Sequence, residues 1–168
     1  INKVASRVNL LDFCISQYKD IILGKLNPIK VLFNEGNFAL VEKFYQGHLV
    51  ADWCNSFIAS VVSKYIDRFG KLSILEIGAG TGATSDVVLN EISKIKHNVE
   101  YCYTDISLKF VNYSQKKYRE KYPFVYFKKL DINSTANNID LYNNFDIIIA
   151  TNVLHATNNI KTTLDNVK

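Results

Sequence analysis

The sequence has few cysteines and no CxxC pair. Its three cysteines, Cys14, Cys54 and Cys102, are isolated along the chain. Such spacing argues against both a disulfide framework and a cysteine-rich zinc site, so we predict no metal. Unpaired thiols are typical of a reducing, intracellular setting, and we therefore expect a cytoplasmic protein.

Long apolar runs and a recognisable signal peptide are also missing. No stretch approaches the roughly 18 apolar residues of a membrane span, and no cleavable leader pattern opens the chain. We therefore expect no membrane partner. Methionine is absent and the first residue is Ile1, so we expect the sequence to be a piece of a longer one.

Charge of one sign is not concentrated in a broad stripe. The formal net charge is +4 over 168 residues, and the one basic cluster is Lys116, Lys117, Arg119 and Lys121. A nucleic-acid footprint would be broader, so this cluster is interpreted as a solvated helix face and no nucleic-acid partner is expected. With 48% hydrophobic residues, the chain has enough apolar side chains for the core of about one domain.

The first 70 residues carry helical periodicity. Two apolar stripes have spacings of three or four residues, and they predict helices over 4–23 and over the segment that ends at Phe69. A shorter helix is predicted between Phe38 and Leu49. We predict that residues 1–70 form an N-terminal helical lid region, whose aromatic side chains mainly pack in the core while a minority cover a ligand. The stripes are Val4, Val8, Leu11, Ile15, Tyr18 and Ile22, and then Trp53, Phe57, Val61, Tyr65 and Phe69.

From Leu72 onward strands and helices alternate. This order predicts an α/β fold, a Rossmann-like parallel sheet with strand order 3-2-1-4 and helices on both faces. Residues 71–168 would form the first part of a cofactor-binding core. The fourth strand would be a bare apolar edge, so we expect a sheet that is incomplete at its C-terminal end. Strands are predicted at 72–77, 99–104, 124–130 and 146–150, and helices at 82–96, 108–121 and 158–168. Ser107 is predicted to cap the helix over 108–121, and the run Ile147, Ile148 and Ile149 is predicted to be buried on both faces.

The stretch ILEIGAGTG organises the rest of the chain. A buried strand runs into Gly78, Gly80 and Gly82, and a helical pattern follows. Strand, glycine turn and helix form the opening unit of nucleotide-binding sheets, where glycines let the backbone approach a ligand closely. Glu76 lies at the end of that strand.

Further polar residues follow the other predicted strands. Asp105, about 20 residues after the glycines, is predicted to accept the hydroxyls of a ribose. Asp131 and Ile132, after the third strand, are predicted to frame an adenine ring. Asn152 and His155 follow the fourth strand, on the side where ligands of such sheets bind.

Two cofactors are compatible with this pattern. Gly78, Gly80 and Ala83 satisfy G-x-G-x-x-A, which is consistent with a dinucleotide. S-adenosylmethionine fits better, because the carboxylate of Glu76 is suited to a ligand with an ammonium and a sulfonium and would repel a pyrophosphate.

Three segments together resemble the class I methyltransferases: LEIGAGTG, YTDIS at 103–107 and FDIIIATNVLHAT at 145–157. More narrowly, with LFNEGNFALVEKFYQ upstream, the chain from Leu32 to Lys168 is similar to the C-methyltransferase domains of polyketide synthases. The resemblance implies S-adenosylmethionine as cofactor, bound by Glu76, Gly78, Gly80, Gly82, Asp105, Asp131, Ile132 and Asn152.

The resemblance also implies a reaction, the methylation of the α-carbon of a β-ketoacyl chain. The implied partners are an acyl carrier protein that holds this chain through phosphopantetheine and the other domains of the same synthase. His155 is expected to remove the α-proton, which is reasonable for an imidazole that titrates near neutral pH. In this family a glutamate farther along the chain than Lys168 orients the histidine, so that half of the pair is expected to lie outside this sequence.

Two alternatives stay open. One is an O- or N-methyltransferase that acts on a free small molecule; the loop ATNVLHA lacks the Pro-Pro-aromatic pattern of enzymes that methylate amino groups of bases. The other is a non-catalytic structural remnant within a polyketide synthase. The presence of Glu76, the three glycines, Asp105 and His155 argues against such decay.

Overall fold

The structure of the chain is a computed structural model that describes residues 2–32, 41–42, 49–95, 98–134, 141 and 144–167. The chain divides into two compact units, Ile1–Cys54 and Asn55–Lys168. The separation of a lid region from a cofactor-binding core at residue 70 stays a prediction.

The first unit contains two described helices, α1 (Asn2–Ile22) and α2 (Pro28–Leu32). Helix α1 ends at Ile22, and Gly24 follows it with a φ of 69°. Asn27 Oδ1 accepts the Lys30 N–H at 3.2 Å across the start of α2. The predicted stripe of α1 is exposed at Val8, Leu11, Ile15, Tyr18 and Ile22. The helix predicted between Phe38 and Leu49 lies largely outside the described residues.

Helix α3 (Leu49–Phe69) spans the boundary between the units. In the second unit its buried apolar residues are Ala59, Val62 and Ile66, which join the core of the sheet. The core packing predicted for the aromatic stripe is wrong, because Phe57, Val61, Tyr65 and Phe69 are exposed. Both rows repeat at helical spacing, and the row with the smaller side chains faces the sheet.

The second unit is built on one parallel sheet with the order β3-β2-β1-β4, as predicted. Helices follow β1, β2 and β4, which gives a Rossmann-like fold. Strands β1 to β4 are Lys71–Ile77, Asn98–Asp105, Val125–Lys129 and Ile147–Ala150. The helices after α3 are α4 (Ala83–Ile92), α5 (Leu108–Tyr118), a 3₁₀ turn (Leu154–Ala156) and α6 (Ile160–Val167).

Side-chain alternation along the strands separates two apolar clusters. On one face of the sheet Ile74, Tyr101 and Tyr103 pack with residues of α3 and α4. Leu75 and Cys102 belong to the other cluster, in which they pack with the segment after β3. Neighbouring residues of a strand point to opposite faces, which accounts for the two clusters. Because all four strands pair in parallel, their carboxyl ends lie at the same edge of the sheet.

Two local predictions differ from the structure. Ser107 precedes α5 but its side chain makes no capping hydrogen bond; instead its backbone N–H donates to Asp105 Oδ1 at 2.8 Å. On β4, predicted to be buried on both faces, Ile149 is buried but Ile148 is 38% exposed, because β4 is an edge strand of the described sheet. Among the described helices, none has the length and hydropathy of a membrane span.

Candidate functional site

The loop between β1 and α4, residues 78–82, lies at the centre of the site and is called the glycine loop below. Gly78, Gly80 and Gly82 all adopt positive φ values, of 62°, 61° and 86°. The Ala79 N–H donates to the carbonyl of Thr104 in β2 at 2.9 Å. A hydrogen bond thus connects the loop to the neighbouring strand, and its three glycines have backbone conformations that differ from those of a helix.

Two of the glycines differ in what surrounds them. A Cβ on Gly82 would lie 2.2 Å from the hydroxyl of Tyr118, so a larger residue would collide with the core. A Cβ on Gly80 would meet no heavy atom nearer than the Gly78 carbonyl at 4.0 Å. Gly80 therefore presents bare backbone to open space, as a loop that cradles a ligand requires.

Asp105 at the end of β2 holds this loop directly. Its Oδ2 accepts the Gly80 N–H at 2.9 Å, and its Oδ1 accepts the Ser107 N–H at 2.8 Å. Burial raises the pKa of this carboxyl, while the two backbone hydrogen bonds act in the opposite direction. Each carboxylate oxygen has a second lone pair, so Asp105 can also accept hydroxyls of a ligand. The ribose assignment stays a prediction.

Glu76, the next-to-last residue of β1, is fully buried. Its Oε2 accepts hydrogen bonds from Ser85 Oγ at 2.5 Å and from the Tyr101 hydroxyl at 2.7 Å. Its Oε1 is buried and has no hydrogen-bond partner within the described ranges. Burial raises the pKa of Glu76 to about 7, although the two hydrogen bonds lower it. An effect of Glu76 on a bound cation would therefore act through the electrostatic field of its partly ionised carboxyl.

The segment after β3 lies beside Asp105, since the Leu130 N–H donates to the Asp105 carbonyl at 3.0 Å. Asp131 Oδ1 accepts the Asn133 N–H at 3.0 Å, and Ile132 is buried. Asn166 of α6 donates to the Ile132 carbonyl at 2.9 Å, which connects this segment to the last described helix. The adenine assignment of Asp131 and Ile132 stays a prediction.

The turn after β4 packs against the glycine loop. Val153 fills the space beside Gly78, where a Cβ would lie 2.3 Å from its Cγ2. Asn152 is exposed and has a φ of 55°. His155 is exposed within the 3₁₀ turn. The structure thus brings the turn of His155 and the glycine loop together through Val153, while the roles of Asn152 and His155 stay predictions.

Sequence reasoning missed the polar side chains that support these loops. The hydroxyl of Thr84 in α4 donates to Asn55 Oδ1 at 2.9 Å and lies 2.8 Å from the hydroxyl of Thr151. The Tyr103 hydroxyl donates to the Gly80 carbonyl, and the Tyr118 hydroxyl lies 3.2 Å from the Gly82 carbonyl. Tyr101 and Tyr103 lie two residues apart on β2 and therefore face the same side of the sheet. This spacing is visible in the sequence, but their hydrogen-bond partners are known only from the structure.

The arrangement suits a nucleoside cofactor. In the part of the chain that the structure describes, no group of three or more His, Cys, Asp or Glu residues could hold a metal ion. Gly80 offers backbone without a side chain, and Asp105 offers a fixed carboxylate at the adjacent strand end. A close backbone approach and an acid at the end of the second strand are features that ribose-containing cofactors use in such sheets.

Comparison with known proteins identifies the family. A model of the methyltransferase domain matches residues 75–168. Polyketide synthase PksR of Bacillus subtilis is 35% identical over 99% of this chain and 7% of its own length.

Two solved structures are also similar. The DszA carbon methyltransferase gives a TM-score of 0.83 at 34% identity, covering 98% of this chain and 44% of that one. The trans-methyltransferase CalH in complex with SAH gives 0.75 at 33% identity, covering 92% and 42%. This chain therefore spans less than half the length of each of these relatives.

The segment that matches the family model begins inside β1 and includes the glycine loop, Asp105 and the turn of His155. We conclude that the chain belongs to the methyltransferase domain family, that its cofactor is S-adenosylmethionine, and that it is similar to the carbon methyltransferases of polyketide synthases.

Proposed function

We propose that the chain methylates the α-carbon of a β-ketoacyl intermediate that an acyl carrier protein holds through phosphopantetheine. It would do so as part of a polyketide synthase, together with the other domains of that synthase. This proposal is supported mainly by one contact: Val153 packs against Gly78 of the glycine loop. Val153 directly precedes the 3₁₀ turn that contains His155. The similarity to carbon methyltransferases supports it further.

We propose roles for the individual residues at the strand ends. Gly78, Gly80 and Gly82 would give a close backbone approach, and Asp105 would accept the ribose hydroxyls. Asp131 would accept the adenine amino group while Ile132 packs on the ring, and Asn152 would line the site from the β4 side. Glu76 would favour the positively charged end of the cofactor through its field.

When bound, S-adenosylmethionine supplies a methyl group on a positively charged sulfur. In the proposed mechanism an imidazole nitrogen of His155 takes the α-proton of the substrate. The electron pair left on the α-carbon would be delocalised onto the flanking carbonyls. The bound cofactor would supply its methyl group to this carbon, and the electron pair of the broken sulfur–methyl bond would stay on sulfur, which leaves S-adenosylhomocysteine. The contribution of the protein beyond proton removal is to hold the two reactants in line, which can account for a large part of the rate.

A half-reaction separates proton removal from methyl transfer. The experiment uses the full-length protein, loaded with S-adenosylhomocysteine in D₂O. We expect it to exchange the α-protons of a carrier-bound β-ketoacyl thioester for deuterons from the solvent. With S-adenosylmethionine, mass spectrometry should find one added methyl group on the α-carbon. His155→Ala should slow both steps by about 10²–10⁴-fold while cofactor affinity stays unchanged.

His97→Ala is the matched control, because it removes a histidine that no motif connects to the site. Exchange at the wild-type rate in His155→Ala would remove this residue from the mechanism. A methyl group on oxygen or nitrogen of a free small molecule would instead support the alternative methyltransferase. Cofactor binding without exchange or transfer would support a structural remnant.

A further inference from the structure

The backbone of Gly80 is held from both sides by strand β2. Its N–H donates to Asp105 Oδ2 at 2.9 Å, and its carbonyl accepts the Tyr103 hydroxyl at 2.7 Å. Tyr103 and Asp105 are two residues apart on one strand, so they reach the loop from the same side. The peptide groups on either side of the Gly80 Cα are therefore fixed by two neighbouring side chains of one rigid element.

The Tyr103 hydroxyl is itself oriented by a second buried group. Ser114 Oγ in α5 donates to it at 2.7 Å, and both residues are fully buried. Because Ser114 uses a lone pair of the tyrosine oxygen, the tyrosine proton is left to point at the Gly80 carbonyl. Burial raises the pKa of Tyr103 well above its usual range, so the hydroxyl keeps this proton.

A second tyrosine hydroxyl lies beside the next glycine carbonyl of the loop. The Tyr118 hydroxyl lies 3.2 Å from the Gly82 carbonyl and donates to Asp86 Oδ1 at 2.7 Å. The rings of Tyr103 and Tyr118 are in contact, with centroids 6.2 Å apart. The glycine loop thus rests on a buried tyrosine layer, while the Cβ position of Gly80 opens away from protein atoms.

We propose that Tyr103, oriented by Ser114, is a positioning residue for S-adenosylmethionine, because it fixes the Gly80 carbonyl and with it the loop surface that the cofactor contacts. This inference rests on the glycine loop being the cofactor site. Tyr103 does not touch the ligand in this role. Without the Tyr103 hydroxyl, the Gly80 carbonyl would lose its hydrogen bond and the loop would sample more conformations. Cofactor binding would then have to order the loop, and this cost would weaken the affinity without removing the site.

The test measures S-adenosylhomocysteine affinity by calorimetry. Tyr103→Phe keeps the ring, which packs on Phe127 with centroids 5.5 Å apart, and removes only the donor. We expect the dissociation constant to rise about tenfold, in line with the loss of one buried hydrogen bond. Tyr122→Phe is the matched control, because Tyr122 lies in the same aromatic layer against Tyr118 but does not donate to the loop, and its affinity should change by less than about twofold.

A double-mutant cycle tests the orienting role of Ser114. Ser114→Ala alone should weaken affinity a few-fold, but in the Tyr103→Phe background it should have no further effect, since the hydroxyl that it orients is gone. Effects that add fully would overturn this coupling. A purely structural role would lower the unfolding midpoints of the Tyr103 and Tyr122 variants together and leave both affinities unchanged.

Amide hydrogen exchange in the ligand-free chain separates this inference from the proposed function. The amides of residues 80–82 should exchange about tenfold faster in Tyr103→Phe than in Tyr122→Phe. Equal exchange rates, or wild-type affinity in Tyr103→Phe, would overturn the inference. If the wild-type chain failed to bind S-adenosylhomocysteine, the cofactor site itself would be in question, and the exchange rates alone would decide whether Tyr103 positions the loop.

Discussion

At the scale of single residues, Asp105 has two roles, a proposed contact with the ligand and an observed contact with the backbone, which a sequence motif does not separate. It is proposed to accept the hydroxyls of a ribose, and its oxygens accept the N–H groups of Gly80 and Ser107. A carboxylate fixed by backbone donors is oriented before the ligand arrives, so binding orders fewer groups. Loss of this side chain should therefore affect both the contact and the loop.

We expect Asp105→Ala to raise the dissociation constant of S-adenosylhomocysteine by more than about tenfold, because hydrogen bonds to charged groups are worth about 1.5–3 kcal/mol. Isothermal titration calorimetry measures this change. Glu100→Ala is the control, since Glu100 is an exposed acid on the same strand. An unaltered dissociation constant in Asp105→Ala would contradict the ribose assignment.

At the scale of elements, helix α3 illustrates how two apolar rows compete for the core. Val61 belongs to the row of aromatic residues and is 38% exposed, whereas its neighbour Val62 is 2% exposed. Ala59 and Ile66 lie on the side of Val62, and the small Ala59 permits a close approach to the sheet. Periodicity identifies both rows but not the one that faces the strands.

This adjacent pair gives a matched test of the packing. Val62→Ala should lower the free energy of unfolding by about 2 kcal/mol through lost burial and a cavity, while Val61→Ala should change it by less than about 0.5 kcal/mol. Urea denaturation followed by the near-ultraviolet circular dichroism of the buried tyrosines measures both. Equal losses, or a larger loss for Val61→Ala, would show that the aromatic row packs in the core.

At the scale of the whole second unit, folding buries the acid Glu76 and thereby couples stability to pH. Burial raises its pKa to about 7 from 4.5, so the folded state binds a proton more tightly than the unfolded one. The stabilisation is fully present below about pH 4.5, and it is lost as the pH rises through about 7. The same sign holds for Asp105, whose pKa burial also raises.

Glu76→Gln isolates the contribution of this one acid. A neutral amide cannot ionise, so between about pH 5 and 8 the wild type should lose up to about 3 kcal/mol of unfolding free energy relative to the variant. Chemical denaturation at a series of pH values measures the difference. Parallel curves for the two proteins would mean that Glu76 titrates at its ordinary pKa.

Much of the fold could be predicted because its signals are local. The strand order 3-2-1-4 follows from alternating periodicity and the rule for parallel crossovers, and the structure has that order. The side-chain contacts did not follow in the same way. Ser107 was expected to cap α5 with its hydroxyl, but the carboxylate of Asp105 takes the Ser107 N–H, a choice that depends on a strand end fixed by long-range pairing.

By itself the sequence determined the class of the sheet, the position of the glycine loop and the polar residues at the strand ends, since each depends on neighbours along the chain. Only the tertiary structure decided that Glu76 is buried and accepts hydrogen bonds from Ser85 and Tyr101. It also decided that Val62 rather than Val61 faces the core. It also brought Tyr103 and Ser114 to Gly80. These contacts join residues far apart in the chain, and they arise when each buried polar group must find a partner within a close-packed interior.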